Sequence, residues 1–177
     1  GAEDAGVLLE IKAAADTSAC SCSWYGCPTD ACPLDSWTAD TEPCGDGYDD
    51  DSGWFGVMCD ARGGRVVYVD LGIPGVGGEL LPFFGRLGAL LFLILDRNSA
   101  LRGDVADLAG ATELRDLGLG GCPLVVGEAA ALAALVHLGE DCSLCGAYGS
   151  GPGELWLAGS GVYGSVLALR ALPYLGP

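Results

Sequence analysis

Cysteines are the residues of this 177-residue sequence whose chemistry is easiest to anticipate, and there are nine of them. With one histidine in the chain, mixed Cys/His zinc sites are disfavoured, and disulfide bonds are the simpler interpretation. Disulfides predict an oxidising compartment, either the cell exterior or an organelle lumen such as that of a thylakoid. The odd count leaves at least one thiol unpaired or paired with another chain. The start at Gly1 is what a processed N-terminus would show.

One cysteine pair has the spacing of a redox motif, Cys142-x-x-Cys145. Redox pairs of this kind normally open a helix, where the helix dipole lowers the pKa of the thiol. This pair falls in a turn of the repeat described below, so a structural bridge is favoured over a thiol oxidoreductase. No nucleophile stands beside His137, and no Ser-His-Asp arrangement is evident. We therefore predict no catalytic residue, no cofactor and no enzymatic activity.

The charge limits the classes of partner that the chain can bind, because the sequence has 24 acidic and 8 basic residues and a net charge of −16. Nucleic acid and anionic membrane surfaces both require clustered Lys and Arg, so neither is expected. The longest apolar run, 87–95, is too short to span a membrane. The acidic segment 46–53 could offer carboxylates to calcium, but it lacks the residue order of a calcium loop. A solvated loop is favoured there, and no metal site is predicted.

A repeat organises most of the chain. An apolar-x-Gly-x-apolar motif recurs, and an apolar-x-apolar triplet ends a short, nearly constant distance before each glycine. The glycines are Gly78, Gly103, Gly127, Gly146 and Gly164. The triplets are Val69-Asp70-Leu71, Leu93-Ile94-Leu95, Leu117-Gly118-Leu119, Val136-His137-Leu138 and Leu155-Trp156-Leu157.

The triplets predict short parallel strands, in which the outer two residues point inward and the middle one points outward. Such coils must stack, since none can bury its apolar face alone. The path from the repeat glycine to the next triplet is long in the first two coils, Gly78 to Leu93 and Gly103 to Leu117. It is much shorter in the next two, Gly127 to Val136 and Gly146 to Leu155. We therefore expect the C-terminal half to be thinner, with a shortened convex crossover.

Two coils, Leu90-x-x-Leu93-x-Leu95-x-x-Asn98 and Leu114-x-x-Leu117-x-Leu119-x-x-Cys122, match the leucine-rich pattern. Upstream, a helical pattern over residues 3–15 precedes several short motifs: Leu34-x-x-Trp37, Pro43-Cys44 and Trp54-x-Gly56-Val57-x-Cys59-Asp60. This order resembles plant-type leucine-rich-repeat proteins with a cysteine-bearing N-terminal cap. The resemblance implies an α/β solenoid, a right-handed coil with a parallel concave β-sheet of about five repeats and a helical, disulfide-bonded cap. It divides the chain into a cap, 1–65, and repeats, 66–177, of which the last is incomplete.

The resemblance also implies a Cys44–Cys59 disulfide. Four further cysteines lie in an insertion at 17–33, where we expect two local bridges whose pairing stays open. These four are Cys20, Cys22, Cys27 and Cys32. Cys122 occupies the position of Asn98 one coil later, so we expect it to be a buried free thiol.

Function is predicted on the concave sheet, where outward side chains are not needed by the core. Aromatic and Arg residues on an exposed sheet are typical anchors of a protein interface. The candidate partner-binding residues are Tyr68, Asp70, Phe92, Ile94, Asp96, Arg97, Asp116, His137 and Trp156. We therefore predict a protein-recognition module.

The second interpretation is a permanent accessory subunit of a large multisubunit, membrane-associated complex on its lumenal or extracellular side. The apolar residues near the end of the chain begin another coil that no visible cap follows, and the mean hydropathy is high, +0.38. These residues are Leu167, Leu169, Leu172 and Leu175. Either more residues or a partner would then cover that end.

Overall fold

The computed structural model describes residues 2–20, 32–44, 53–60, 64–72, 74–141 and 153–175. The N-terminal helix, α1, spans Ala2–Ala14. It begins with acidic residues and has Lys12 in its last turn, an arrangement that the helix dipole favours. Its apolar residues Val7, Leu8 and Ile11 are buried in the main hydrophobic core. The sequence pattern therefore packs α1 on the repeats.

The described residues form nine strands in two sheets. They are β1 Val57–Cys59, β2 Val66–Asp70, β3 Gly78–Glu79, β4 Phe92–Ile94, β5 Leu101–Asp104, β6 Asp116–Gly118, β7 Val125–Glu128, β8 Leu155–Trp156 and β9 Gly161–Tyr163. The first sheet has the order β1-β2-β4-β6-β8, in which only β1 is antiparallel to its neighbour. The second sheet has the order β3-β5-β7-β9 and is parallel throughout.

Leucine rows fill the space between the two sheets. Leu71, Leu95 and Leu119 follow the strands of the first sheet, and each is at most 1% exposed. Burying one such side chain stabilises the fold by about 1.5–3 kcal/mol. The outer residues of these triplets therefore point inward, as the alternation of side chains along a strand requires.

Three of the repeat glycines, Gly78, Gly103 and Gly127, lie in strands of the second sheet. Gly78 has a φ of 105° and Gly103 a φ of 146°, a region in which residues with a side chain are strained. At Gly103 a Cβ would also approach Leu81 Cδ1 to 3.0 Å. Gly103 thus permits both the turn and the close approach of Leu81 from the helix of the preceding coil, α2 Leu81–Phe84.

A short helix follows each strand of the second sheet. They are α2 Leu81–Phe84 and the 3-10 helices Val105–Gly110, Ala129–Ala134 and Val166–Ala171. The Asp104 side chain accepts a hydrogen bond from Ala106 N at 2.9 Å and caps the first 3-10 helix. None of the helices in the described part of the chain is long and apolar enough to cross a membrane.

The fourth triplet is where the sequence prediction is wrong. Residues 136–139 form a turn, and β8 pairs directly with β6, with Leu117 opposite Leu155. The steps along the chain from Tyr68 to Phe92 and from Phe92 to Asp116 are equal, but the step from Leu117 to Leu155 is more than half as long again. Among the described residues, the parallel part of the first sheet has four strands, where about five were expected. The described residues between β6 and β8 add no strand to this sheet, so the two short coils expected there do not form, and the extra length between Arg115 and Gly153 is here called the insertion.

The insertion leaves and rejoins the coil at one place. Gly139 N donates to Arg115 O at 2.9 Å, and Gly153 N donates to Glu140 O at 3.2 Å. The predicted Cys142–Cys145 bridge and Gly146 lie outside the described residues.

The cap contains two described disulfides, Cys44–Cys59 and Cys20–Cys32. The first is the pair that the resemblance implies, and the second reveals one pairing within the insertion. Cys22 and Cys27 lie outside the described residues, as do residues 45–52 of the acidic segment. Disulfides indicate an oxidising compartment.

Two stacked indoles form the centre of the cap. The rings of Trp37 and Trp54 are 5.7 Å apart, and Trp37 Nε1 donates to Phe55 O at 2.9 Å. Lys12 Nζ donates to Trp37 O at 2.8 Å. These contacts tie α1 to the segment that leads into β1.

Candidate protein-binding surface on the first sheet

The outward side chains of β2, β4, β6 and β8, together with those of the turns that follow them, form one surface, here called the open face. Its strands are in register, so that outward residues form rows across the sheet. One row contains Tyr68, Phe92 and Asp116, and the next contains Asp70, Ile94, Gly118 and Trp156. The register thus brings these positions together, as the triplet pattern predicts.

An aromatic pair occupies the end of the open face near the cap. The rings of Tyr68 and Phe92 are 5.9 Å apart, and the Tyr68 hydroxyl donates to Asp70 Oδ2 at 3.3 Å. Phe92 is only 7% exposed, so it offers little area to a partner. Its predicted role as an anchor is therefore reduced to supporting Tyr68.

At the other end of the open face, Gly118 and Gly120 lie beneath the side chains of Asp96 and Trp156. A Cβ on Gly118 would come within 2.5 Å of Asp96 Oδ2, and a Cβ on Gly120 would overlap the Trp156 indole. Gly120 N donates to Asp96 Oδ1 at 2.5 Å, which fixes the carboxylate. Trp156 remains 57% exposed. An exposed indole and a fixed carboxylate therefore lie side by side.

Asp116 and Glu154 extend this acidic region along β6 and toward β8. Glu154 N donates to Asp116 Oδ2 at 3.3 Å. Burial, together with the charges of Glu154 and Asp96, raises the pKa of Asp116 to about 6, although the hydrogen bond from Glu154 N opposes the shift. Asp116 is therefore close to half-protonated in mildly acidic solution.

Asp96 and Arg97 follow β4 in a strained turn. Arg97 has a φ of 66°, and its Nη2 donates to Gly72 O at 3.4 Å. Burial raises the pKa of Asp96 above its usual value, and the charge of Asp70 adds to this, while the bond from Gly120 N and the charge of Arg97 oppose it. Arg97 thus offsets only part of the acidic character of the open face.

His137 does not belong to the open face. It lies in the turn that replaces the fourth predicted strand, where its Nδ1 is 2.8 Å from Glu140 Oε2. The same carboxylate oxygen is 3.5 Å from Arg115 Nη2. His137 therefore packs at the base of the insertion, because the strand it was assigned to does not form.

Sequence reasoning missed Glu154. In the first three coils the residue before the triplet points outward, as Tyr68, Phe92 and Asp116 do, and the same rule applied to Leu155-Trp156-Leu157 selects Glu154. Missing it concealed how acidic the open face is at that end.

Cys122 is a buried free thiol in the described part of the chain. Its Sγ is 3.1 Å from Leu95 O, in the position where Asn98 bonds the preceding coil. Burial raises the pKa of the Cys122 thiol. Within the described ranges, no group of three or more His, Cys, Asp or Glu side chains could hold a metal ion.

Solved structures similar to this chain include the Arabidopsis receptor kinase HAESA in complex with the peptide hormone IDA and the co-receptor SERK1. That structure is 26% identical with a TM-score of 0.56, over 77% of this chain and 20% of HAESA. The HAESA ectodomain with an N-terminally extended IDA peptide is 27% identical with the same TM-score and coverage. The chain has the plant-type leucine-rich-repeat fold with a cysteine-bearing cap.

A plant ice-binding protein has the same repeat fold. It is 22% identical with a TM-score of 0.63, over 99% of this chain and 46% of that protein. No protein-family model matches the sequence, and no curated protein is significantly similar to it. The leucine-rich-repeat chain described here thus spans less than half the length of these solved relatives.

Proposed function

We propose that this leucine-rich-repeat chain is a non-enzymatic recognition module that binds a protein partner through the open face. The observation that carries the proposal is the exposure of Trp156, whose indole lies over Gly120 and is 57% exposed. A side chain of this size in contact with water costs hydrophobic free energy that a partner would recover.

The surroundings of Trp156 are suited to an interface. Completely buried leucines support β2, β4 and β6, and the half-buried Leu155 and Leu157 flank Trp156 on β8, so most of the face rests on a packed core. A rigid surface loses little conformational entropy on binding. Tyr68 and Ile94 add partly exposed aromatic and apolar area on neighbouring strands. The similar HAESA structures contain a peptide hormone, which supports a peptide or protein as the class of partner.

A matched pair of variants tests the proposal. Trp156 and Tyr163 are exposed to nearly the same extent, 57% and 59%, but Tyr163 lies on β9 in the second sheet. The partner would be cross-linked and identified in an extract of the native source, purified, and its Kd measured by calorimetry. We expect Trp156→Ala to weaken binding at least about tenfold, and Tyr163→Ala to change it less than about twofold. Loss of binding in Tyr163→Ala alone would contradict the proposal.

A second candidate function is a permanent subunit of a larger complex. Exposed apolar side chains gather on the last two strands of the second sheet and on the 3-10 helix that follows them. They are Leu124, Val126, Tyr163 and Leu167, between 43% and 59% exposed. Under this hypothesis the chain would migrate in a large assembly at fixed stoichiometry when isolated gently from its native source. A mass by light scattering that matches the single chain, 17.9 kDa, would eliminate it.

We propose a secreted or organelle-lumenal location, since two described disulfides support an oxidising compartment. Labelling of the chain by an impermeant biotin reagent at the surface of intact cells would support secretion. Protection in intact cells, followed by labelling in lysed organelles, would support the lumen.

A further inference from the structure

We propose that the open face recognises a lysine or arginine side chain of its partner and holds it against the indole of Trp156 and the carboxylates of Asp96 and Asp116. The inference rests on the proposed function, because it specifies the chemistry of the partner that the open face would bind.

The surface formed by the Trp156 ring and the Asp96 and Asp116 carboxylates is here called the cationic seat. Two glycines allow the ring and the Asp96 carboxylate to lie close together. Asp96 Oδ1 lies 3.0 Å from the point where a Cβ on Gly120 would stand, and Trp156 lies still closer to that point. The indole and the carboxylate are therefore neighbours, and the strand beneath them carries no side chain at Gly118 or Gly120. The ring and the carboxylate themselves fill the space above the two glycines, so an incoming side chain would lie on top of them and contact both.

The negative charges around this site are only partly compensated within the described part of the chain. None of the ion pairs among the described residues includes Asp70, Asp96, Asp116 or Glu154. The carboxylates instead oppose one another, since Glu154 and Asp96 both raise the pKa of Asp116. Arg97 is the basic residue that acts on Asp96, and its guanidinium donates to Gly72 O. A cation from a partner would relieve the repulsion that remains.

Other partner chemistries fit this surface less well. An apolar segment would remove the carboxylates from water without giving them a hydrogen-bond partner, which is strongly unfavourable. An acidic or phosphorylated segment would be repelled. A guanidinium or ammonium group gains charge-assisted hydrogen bonds from the carboxylates and attraction to the face of the indole. Trp is the aromatic residue for which that attraction is strongest.

Proton linkage predicts how the affinity of the site depends on pH. Asp116 is faced by Glu154, the residue before β8, and by Asp96 from the turn after β4, while the neighbouring Arg115 pairs with Glu140. A bound cation lowers the pKa of Asp116 relative to the free protein, so binding releases a proton. Affinity is therefore full above about pH 6 and falls as the pH is lowered through that value.

The test uses the full chain and a probe peptide of four alternating Ser-Arg units, compared with the same peptide carrying citrulline in place of arginine. Citrulline keeps the shape and removes the charge. The double variant Asp96→Asn/Asp116→Asn is compared with Glu79→Gln/Asp107→Asn, which removes the same charge from exposed acids elsewhere on the surface. Binding is followed by the NMR signal of the Trp156 indole N–H, assigned with Trp156→Phe.

We expect the arginine peptide to shift the Trp156 signal and the citrulline peptide to leave it in place. The double variant on the open face should weaken binding at least about tenfold, against less than about twofold for the distant pair. Equal response to both peptides, or equal weakening by both double variants, would overturn the inference. For wild type, the affinity should fall between pH 7.5 and pH 5, and constant affinity would also overturn it.

The native partner separates this inference from the proposed function. Binding that requires Trp156 but tolerates Asp96→Asn/Asp116→Asn would leave the recognition module standing and reject the cationic seat. Binding that tolerates Trp156→Ala would reject the open face itself.

Discussion

The indole of Trp156 lies over Gly120, in space that a Cβ at position 120 would occupy. Gly120→Ala should therefore displace the indole and the Asp96 carboxylate while leaving the leucine core in place. We expect a shifted Trp156 indole N–H signal in NMR spectra and weaker partner binding. Gly88→Ala is the control, because a Cβ there would meet nothing closer than 4.0 Å. An unshifted indole signal in Gly120→Ala would show that Trp156 is placed by other contacts.

Asp116 should destabilise the folded chain at neutral pH. Its folded pKa, about 6, lies above the ordinary value of 3.8, so folding favours the protonated form. Its contribution to stability is full below about pH 4 and is lost as the pH rises through about 6. Asp116→Asn should raise the free energy of unfolding at pH 7.5 by up to about 3 kcal/mol, and by much less at pH 4.

Urea unfolding followed by circular dichroism at several pH values measures this difference, with Asp107→Asn as the control for the loss of one exposed carboxylate. The prediction concerns the difference between variant and wild type, since many other acids titrate in the same range. An Asp116→Asn difference that does not grow with pH would contradict it.

Asn98 should contribute more to stability than Cys122, although the two occupy the same position in successive coils. The buried Asn98 amide donates to Leu71 O and Leu95 O, and its oxygen accepts from Val76 N. Asn98→Ala should cost about 3 kcal/mol, because Val76 N and Leu71 O lose their partner and Leu95 O keeps only the weak bond from Cys122 Sγ. Cys122→Ala should cost about 1 kcal/mol, because the thiol makes weak hydrogen bonds. Thermal unfolding of both variants checks the order, and a reversed order would refute it.

Asp4 should hold α1 onto the first coil. It is 2% exposed, and its Oδ2 accepts from Arg65 Nε at 2.8 Å and from Val66 N at 3.0 Å. Burial alone would raise the pKa of Asp4, but these hydrogen bonds and the charge of Arg65 outweigh it and hold the pKa below its usual value. Its stabilisation is therefore present above about pH 4 and lost as the pH falls through the lowered pKa.

Asp4→Ala should cost about 2 kcal/mol of unfolding free energy at pH 7. Arg65→Ala should cost less, because its side chain is 48% exposed and Val66 N still donates to the carboxylate. Chemical unfolding of both variants at pH 7 provides the comparison. A larger loss in Arg65→Ala would mean that the ion pair, and not the bond to Val66 N, secures the helix.

The sequence predicted the cap and the first three strands of the repeat because each coil carries several signals at once. Around Leu93 the triplet, the preceding Leu90 and the following Asn98 all agree in spacing. The fourth strand had only a triplet and a glycine, and Val136-His137-Leu138 satisfied that pattern by chance. Strand pairing depends on register with β6, and a local pattern cannot reveal it.

A signal that could have corrected the error was nevertheless present. The two regular coils take a long path from their glycine to the next triplet, and the path from Gly127 to Val136 is too short to follow the same course. Taking that shortage as a sign of an insertion would have removed His137 from the open face and added Glu154. The burial of Phe92 depends on its contact with Tyr68 on the neighbouring strand, which sequence spacing alone does not determine.

The chain leaves the third coil after Glu140 and returns at Gly153, and Gly153 N still reaches Glu140 O at 3.2 Å. Because these two points are so close, a longer connection between them would add little loop-closure entropy. This position is therefore a suitable insertion site for protein engineering. An epitope, a fluorophore site or a second binding loop could be grafted between residues 140 and 153 while the repeat frame remains intact.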